Sequence, residues 1–147
     1  MEVVERLLRE PCIDPSAQDQ CAIRWASSRG RLAVVECLLH DDRVDPSANN
    51  QDSIRWASAH GHIAVVECLL RDRRVDPSAD DQFAVRAATT EGHYAVVERL
   101  LRDDRVGRDV KALRQCITNK RRHGQYFAVV ALLERHLKER ATHMDSE

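Results

Sequence analysis

The chain is expected to be all-α, a stack of helix–turn–helix repeats joined by short loops, and three features carry that expectation. The segment "DPSA" stands at 14–17, 45–48 and 76–79, a period of 31 residues. The residues between the copies match in register: "DPSAQDQCAIRWASSRGRLAVVECLLHDDRV", "DPSANNQDSIRWASAHGHIAVVECLLRDRRV" and "DPSADDQFAVRAATTEGHYAVVERLLRDDRV". Self-similarity at such a period is how stacked arrays are written in sequence. The composition, 43% hydrophobic with only 4% aromatic, suits thin layers of Ala, Val, Leu and Ile.

The repeats set the expected boundaries: full units at 14–44, 45–75 and 76–106 in one continuous domain. Ahead of them, "EVVERLLREPCI" aligns on "AVVECLLHDDRV", so 1–13 reads as the second helix of a partial unit. After them, "GQYFAVVALL" at 124–133 echoes "GHYAVVERLL", while "VKALRQCITNKRRHG" fits only with a shortened turn and a longer first helix. Residues 107–139 therefore read as a degenerate C-terminal cap and 140–147 as a disordered tail.

Within a unit, the proline of "DPSA" fixes a turn rather than a helix interior. Asp19, Asn50 and Asp81 are expected to cap the first helix, just before "QCAIRWAS" and its equivalents. In that helix Ile23, Ala26 and Ser27 share one narrow face whose small side chains admit a close neighbour. Gly30, Gly61 and Gly92 end it, because glycine accepts the left-handed geometry of a helix C-terminus. In the second helix Leu32, Val35, Leu38 and Leu39 form an apolar stripe from which Glu36 points away. Neither helix is long enough to stand alone, since isolated helices below about 12–15 residues are marginal. Each unit needs a neighbour.

Several functional classes lose support. Net charge is −1, with 23 basic and 24 acidic residues interleaved, so no field of one sign steers nucleic acid or anionic lipid. No apolar run approaches the roughly 20 residues of a membrane span, and an intracellular, cytoplasmic protein of a producing or host cell is expected. Five cysteines are read as reduced thiols: Cys37 and Cys68 are equivalent positions in neighbouring layers about 8–10 Å apart, too far for a disulfide. There is no phosphate loop, nucleophile elbow or HExxH motif, so no enzyme and no cofactor is expected. "HGH" at 60–62 near Cys68 offers zinc-binding residue types without a CxxC or HxxxH pair, so no metal site is expected. "KRRH" at 120–123 reads as the solvated end of a helix rather than a phosphate site or targeting signal.

The successive "CAIRWASSRGRLAVVECLL", "DSIRWASAHGHIAVVECLL" and "FAVRAATTEGHYAVVERLL", with Val-Val-x-x-Leu-Leu spacings throughout and Ala-x-x-x-Gly-His in the last two, resemble the ankyrin repeat family over most of the chain, down to about Leu133. The Thr-Pro of the family's first helix is absent, Arg24, Arg55 and Arg86 stand where it has histidine, and the period is 31 where about 33 is usual. This variant looks like arrays of protists and large DNA viruses. The resemblance implies an ankyrin-type solenoid that binds another protein without catalysis, through a concave groove lined by the loop and the exposed side of the first helix. The alternatives are a structural segment of a longer repeat protein, or a nucleic-acid or metal binder. A monomer is expected, with self-association through the partial first unit as the other possibility.

Partner recognition belongs where units differ on a constant scaffold. The differing surface positions are Gln18, Asn49 and Asp80 in the loop, Cys21, Asp52 and Phe83 at the start of the first helix, and Arg29, His60 and Glu91 at its end. Phe83, expected to be largely exposed, is the anchor among these. Arg24, Arg55 and Arg86 are read as structural, holding loop carbonyls or a neighbouring carboxylate. Trp25 and Trp56 are read chiefly as packing between repeats, with partner contact as the alternative.

Overall fold

A computed structural model describes residues 2–10, 13–106 and 127–144 of the 147. Among the described residues there are eight helices and no strand: α1 (Glu2–Leu8), α2 (Ala17–Ser28), α3 (Leu32–Leu39), α4 (Ala48–Ala59), α5 (Ile63–Leu69), α6 (Ala79–Glu91), α7 (Tyr94–Leu101) and α8 (Phe127–Met144). The first helices of successive units, α2, α4 and α6, pack side by side in one layer; α1, α3, α5, α7 and α8 form the second. Residues 107–126, which include the "KRRH" run and the first half of the expected cap, lie outside the described residues. Helix α8 runs to Met144, so 140–144 continues a helix where a disordered tail was expected.

The core repeats as the sequence does. Ile23, Ala26, Val35, Leu38 and Val44 are buried, as are their equivalents Ile54, Ala57, Val66, Leu69 and Val75, then Val85, Ala88, Val97, Leu100 and Val106. Glu36 is exposed. By contrast α1 buries no residue completely, and Val3 and Leu7 stand exposed.

Each unit opens on a turn built by Asp and Ser around a buried proline. The Asp14 Oδ1 accepts from the Ser16 N–H at 2.9 Å and from its hydroxyl at 2.6 Å, and the Asp45–Ser47 and Asp76–Ser78 pairs repeat the geometry. Beyond this turn the backbone departs from the expected helix cap. Residues 18–20, 49–51 and 80–82 are left-handed, with φ between 53 and 67°, so Asp19, Asn50 and Asp81 sit inside a reversed turn and cap nothing with their side chains. Left-handed geometry costs a non-glycine residue on the order of 1–2 kcal/mol, less for Asn and Asp, which occupy the first two of these positions except at Gln18. The third position is Gln, and it is tied down: the Gln51 amide donates to the Arg74 carbonyl at 3.1 Å, and Gln20 to that of Arg43 at 3.4 Å.

The Gly-His signature joins one unit to the next. Gly30 and Gly61 have φ of 66 and 74°, and a Cβ on either would lie 2.6 or 2.5 Å from the ring of His62 or His93 in the following unit. Those rings lie against the glycines while the His62 Nε2 bonds the Ser28 carbonyl at 3.1 Å and the His93 Nε2 that of Ala59 at 3.0 Å. A carbonyl only accepts, so Nε2 carries the proton in both. Gly61→Ala should therefore cost about 2–4 kcal/mol, combining left-handed strain with displacement of the His93 ring. In a His93→Ala background the same change should cost distinctly less; equal costs in urea denaturation of the two backgrounds would contradict the contact.

A second inter-unit clamp lies at "DDRV" and "DRRV". Asp41, Asp72 and Asp103 each bind the guanidinium two residues on, at 2.6–2.8 Å. So held, Arg43, Arg74 and Arg105 reach 30 residues back and donate to the carbonyls of Ile13, Val44 and Val75 at 3.1, 2.7 and 2.7 Å. The arginine hydrogen bonds hold all three carboxyls below the ordinary aspartate pKa, that of Asp41 at about 2. Because the unfolded carboxyls titrate near about 3.9, this stabilisation is fully present above about pH 4 and is lost as pH falls towards about 2. Asp72→Asn should lower stability at neutral pH by about 1 kcal/mol, the pair being partly exposed to solvent through Arg74, and should flatten the acid limb of a melting-temperature profile. An unchanged limb would show the clamp to be idle.

Candidate partner-binding face

The exposed face of the first helices carries two structures, a charge ladder and an aromatic groove. In the ladder, Asp52 bridges two units: its carboxylate lies 2.7 Å from Arg24 of the unit before and 3.3 Å from Arg55 of its own. Arg55 continues to Asp80 of the next unit at 3.0 Å and stacks over the Phe83 ring, 4.2 Å from its centroid. The same arginines hold the reversed turns from within, Arg24 to the Asp19 carbonyl at 3.3 Å, Arg55 to that of Asn50 at 3.4 Å and Arg86 to that of Asp81 at 3.0 Å. These contacts are structural, as expected for the three arginines.

The ladder explains why two neighbouring repeat positions, 18/49/80 and 21/52/83, differ between units. Asn49 has an amide to give and donates to the Asp19 carbonyl at 3.0 Å. Asp80, at the equivalent place, has none and instead accepts from Arg55. Asp52 completes a carboxylate bridge, and at the equivalent place Phe83 offers a ring to Arg55. Four of the nine positions expected to read a partner, Asn49, Asp52, Asp80 and Phe83, are thus engaged in contacts between units.

Phe83 in particular is half-buried beneath Arg55 rather than largely exposed. Phe83→Ala should then lower stability by about 1–2 kcal/mol, through lost burial and a lost cation–π contact. A fully silent melt would return Phe83 to the free surface.

The groove lies between the ends of α2 and α4. Cys21, Arg24, Trp25, Ser28, Arg29, Trp56 and His60 line a volume of about 530 Å³. It brings together Cys21, Arg29 and His60 of the expected set; Gln18 and Glu91 are exposed but do not line it. Trp25 and Trp56 correct the packing reading, for they retain 56% and 45% of their surface in solvent. The reason is their position two residues on from buried Ile23 and Ile54, turned to the opposite side of the helix. Around them the polar groups are fixed: the Ser28 hydroxyl donates to the Trp25 carbonyl at 2.9 Å, the His60 Nδ1 bonds the Trp56 carbonyl at 2.8 Å, and the His60 ring stacks on His62 with centroids 6.0 Å apart.

Other chemistry finds little footing among the described residues. No group of three or more His, Cys, Asp or Glu converges to hold a metal, and no helix is long and apolar enough to cross a membrane. Cys21, Cys37 and Cys68 are free thiols; burial pushes the Cys37 and Cys68 thiols to higher pKa, away from nucleophilic thiolate. In comparisons with known proteins, no family model, no curated protein and no solved structure matches the chain.

Sequence reasoning passes over the Asp-x-Arg clamps and assigns the tryptophans mainly to packing between repeats. The first had a signal, an Asp and an Arg two apart preceding each buried Val in all three units. The second had one too: a residue two positions from a buried Ile on a helix is turned well away from it.

Proposed function

We propose that the chain is a non-catalytic, ankyrin-type protein-interaction array that engages a partner protein along the exposed face of its first helices. The observation that carries this reading is the pair of exposed tryptophans, one unit apart on a rigid stack. Large aromatic side chains are costly to leave in water and are enriched where binding energy concentrates. The repeated fold supports the same conclusion, since an array presents an extended surface that neighbours do not consume. Each tryptophan is held by a helix whose other face is locked into the core, so binding them costs little ordering of backbone.

A pull-down tests this directly. Immobilised protein should retain at least one protein from a lysate of the producing organism, and a Trp25→Ala, Trp56→Ala double variant should lose it. The double variant should keep its melting temperature to within a few degrees, because half-exposed side chains contribute little to stability. Glu67→Lys, on the exposed side of α5, should change nothing. Retention of the same proteins by the tryptophan variant would place the binding face elsewhere.

A further inference from the structure

The groove has a charge as well as an apolar floor. Among its lining side chains Arg24, Arg29 and His60 are basic and none is a carboxylate. Arg24 is already neutralised by Asp52. Arg29 is exposed and meets no carboxylate among the described residues; its guanidinium lies 5.5 Å from the centre of the Trp25 ring. The His60 Nδ1, bonded to a carbonyl, must carry a proton, which leaves Nε2 as the ring's remaining polar atom. In the third unit both features are gone: Ala87 stands for the tryptophan and Glu91 for the cation. The site is therefore confined to the first two full units, and beyond it the surface turns acidic.

We infer that this groove takes an extended acidic segment of the partner protein, with an apolar side chain seated between the Trp25 and Trp56 indoles and a neighbouring Asp or Glu carboxylate on Arg29. The inference rests on the binding reading above and adds the partner's chemistry. A guanidinium lying over an indole keeps its N–H edge free, and that edge matches a carboxylate in a bidentate pair. A basic ligand side chain finds the Trp25 face already occupied by Arg29 and is repelled. A nucleic-acid strand would offer bases to the indoles, but its phosphates would run on towards Glu91, which stands in the third unit where Arg29 and His60 stand in the first two.

Panning a random peptide library displayed on phage against the full chain tests it. Enriched peptides should combine Asp or Glu with an aromatic or aliphatic residue. A resynthesised one should alter tryptophan emission on binding, and Arg29→Glu should weaken it about tenfold at low salt, the size of one charge-assisted hydrogen bond. Raised salt should weaken it as well. Basic peptides, or peptides indifferent to Arg29→Glu and Trp56→Ala, would overturn the inference while leaving a protein-binding function intact. So would an absence of enrichment in an experiment where the pull-down still depends on the tryptophans. Equal binding of single-stranded oligothymidylate would assign the groove to nucleic acid, and a tryptophan-dependent dimer in sedimentation would assign it to a second copy; either result also overturns the inference.

Discussion

Everything in this structure depends on helices too short to hold themselves. Helices α3, α5 and α7 span seven or eight residues, well below the length at which hydrogen bonds within a helix offset the cost of nucleating it. Their apolar stripes are satisfied only by the next layer. Repetition is the consequence, and so is the density of contacts that reach one unit forward or back: histidine ring on glycine, arginine on carbonyl, aspartate between two guanidinium groups. Because the histidine-on-glycine and arginine-on-carbonyl contacts are written into the repeat, they recur from one unit to the next.

The same contacts explain where conformational strain is tolerated. Three consecutive left-handed residues in each of three units would disfavour an isolated loop. Here the turn places a glutamine amide on one neighbouring carbonyl and presents its own carbonyl to an arginine, so the strain is offset by hydrogen bonds that the assembled stack completes. The turn also releases the first helix from the line of the preceding chain. That helix can then lay its small face, Ala57 and Ser58 in the second unit, against its neighbours and turn Trp56 outward.

Much of this is legible in the residues, and the failures have physical causes. Helix order, glycine termini and the buried stripe follow from a period and from residue size, both of which a sequence displays. The reversed turns do not, because Asp and Asn suit a helix cap and a left-handed residue equally well and only the three-dimensional path chooses between them. The varied positions mislead in a related way. Asn49, Asp52 and Asp80 differ between units because each meets a different group in a neighbouring unit, so variation on this scaffold reflects register along the ladder as well as any ligand. The tryptophans show the converse: a recurrent residue reads as scaffold, yet it lies in solvent.

The central claim is that units are stable through their neighbours and not by themselves. Hydrogen exchange on Ile54→Ala measures it most directly. Ile54 is fully buried in the middle unit, and its truncation should cost about 2–5 kcal/mol. With nearest-neighbour stabilisation, the opening free energy should fall in the flanking units 14–44 and 76–106 as well as in 45–75. Loss of protection confined to 45–75, with both flanking units unchanged, would contradict the account.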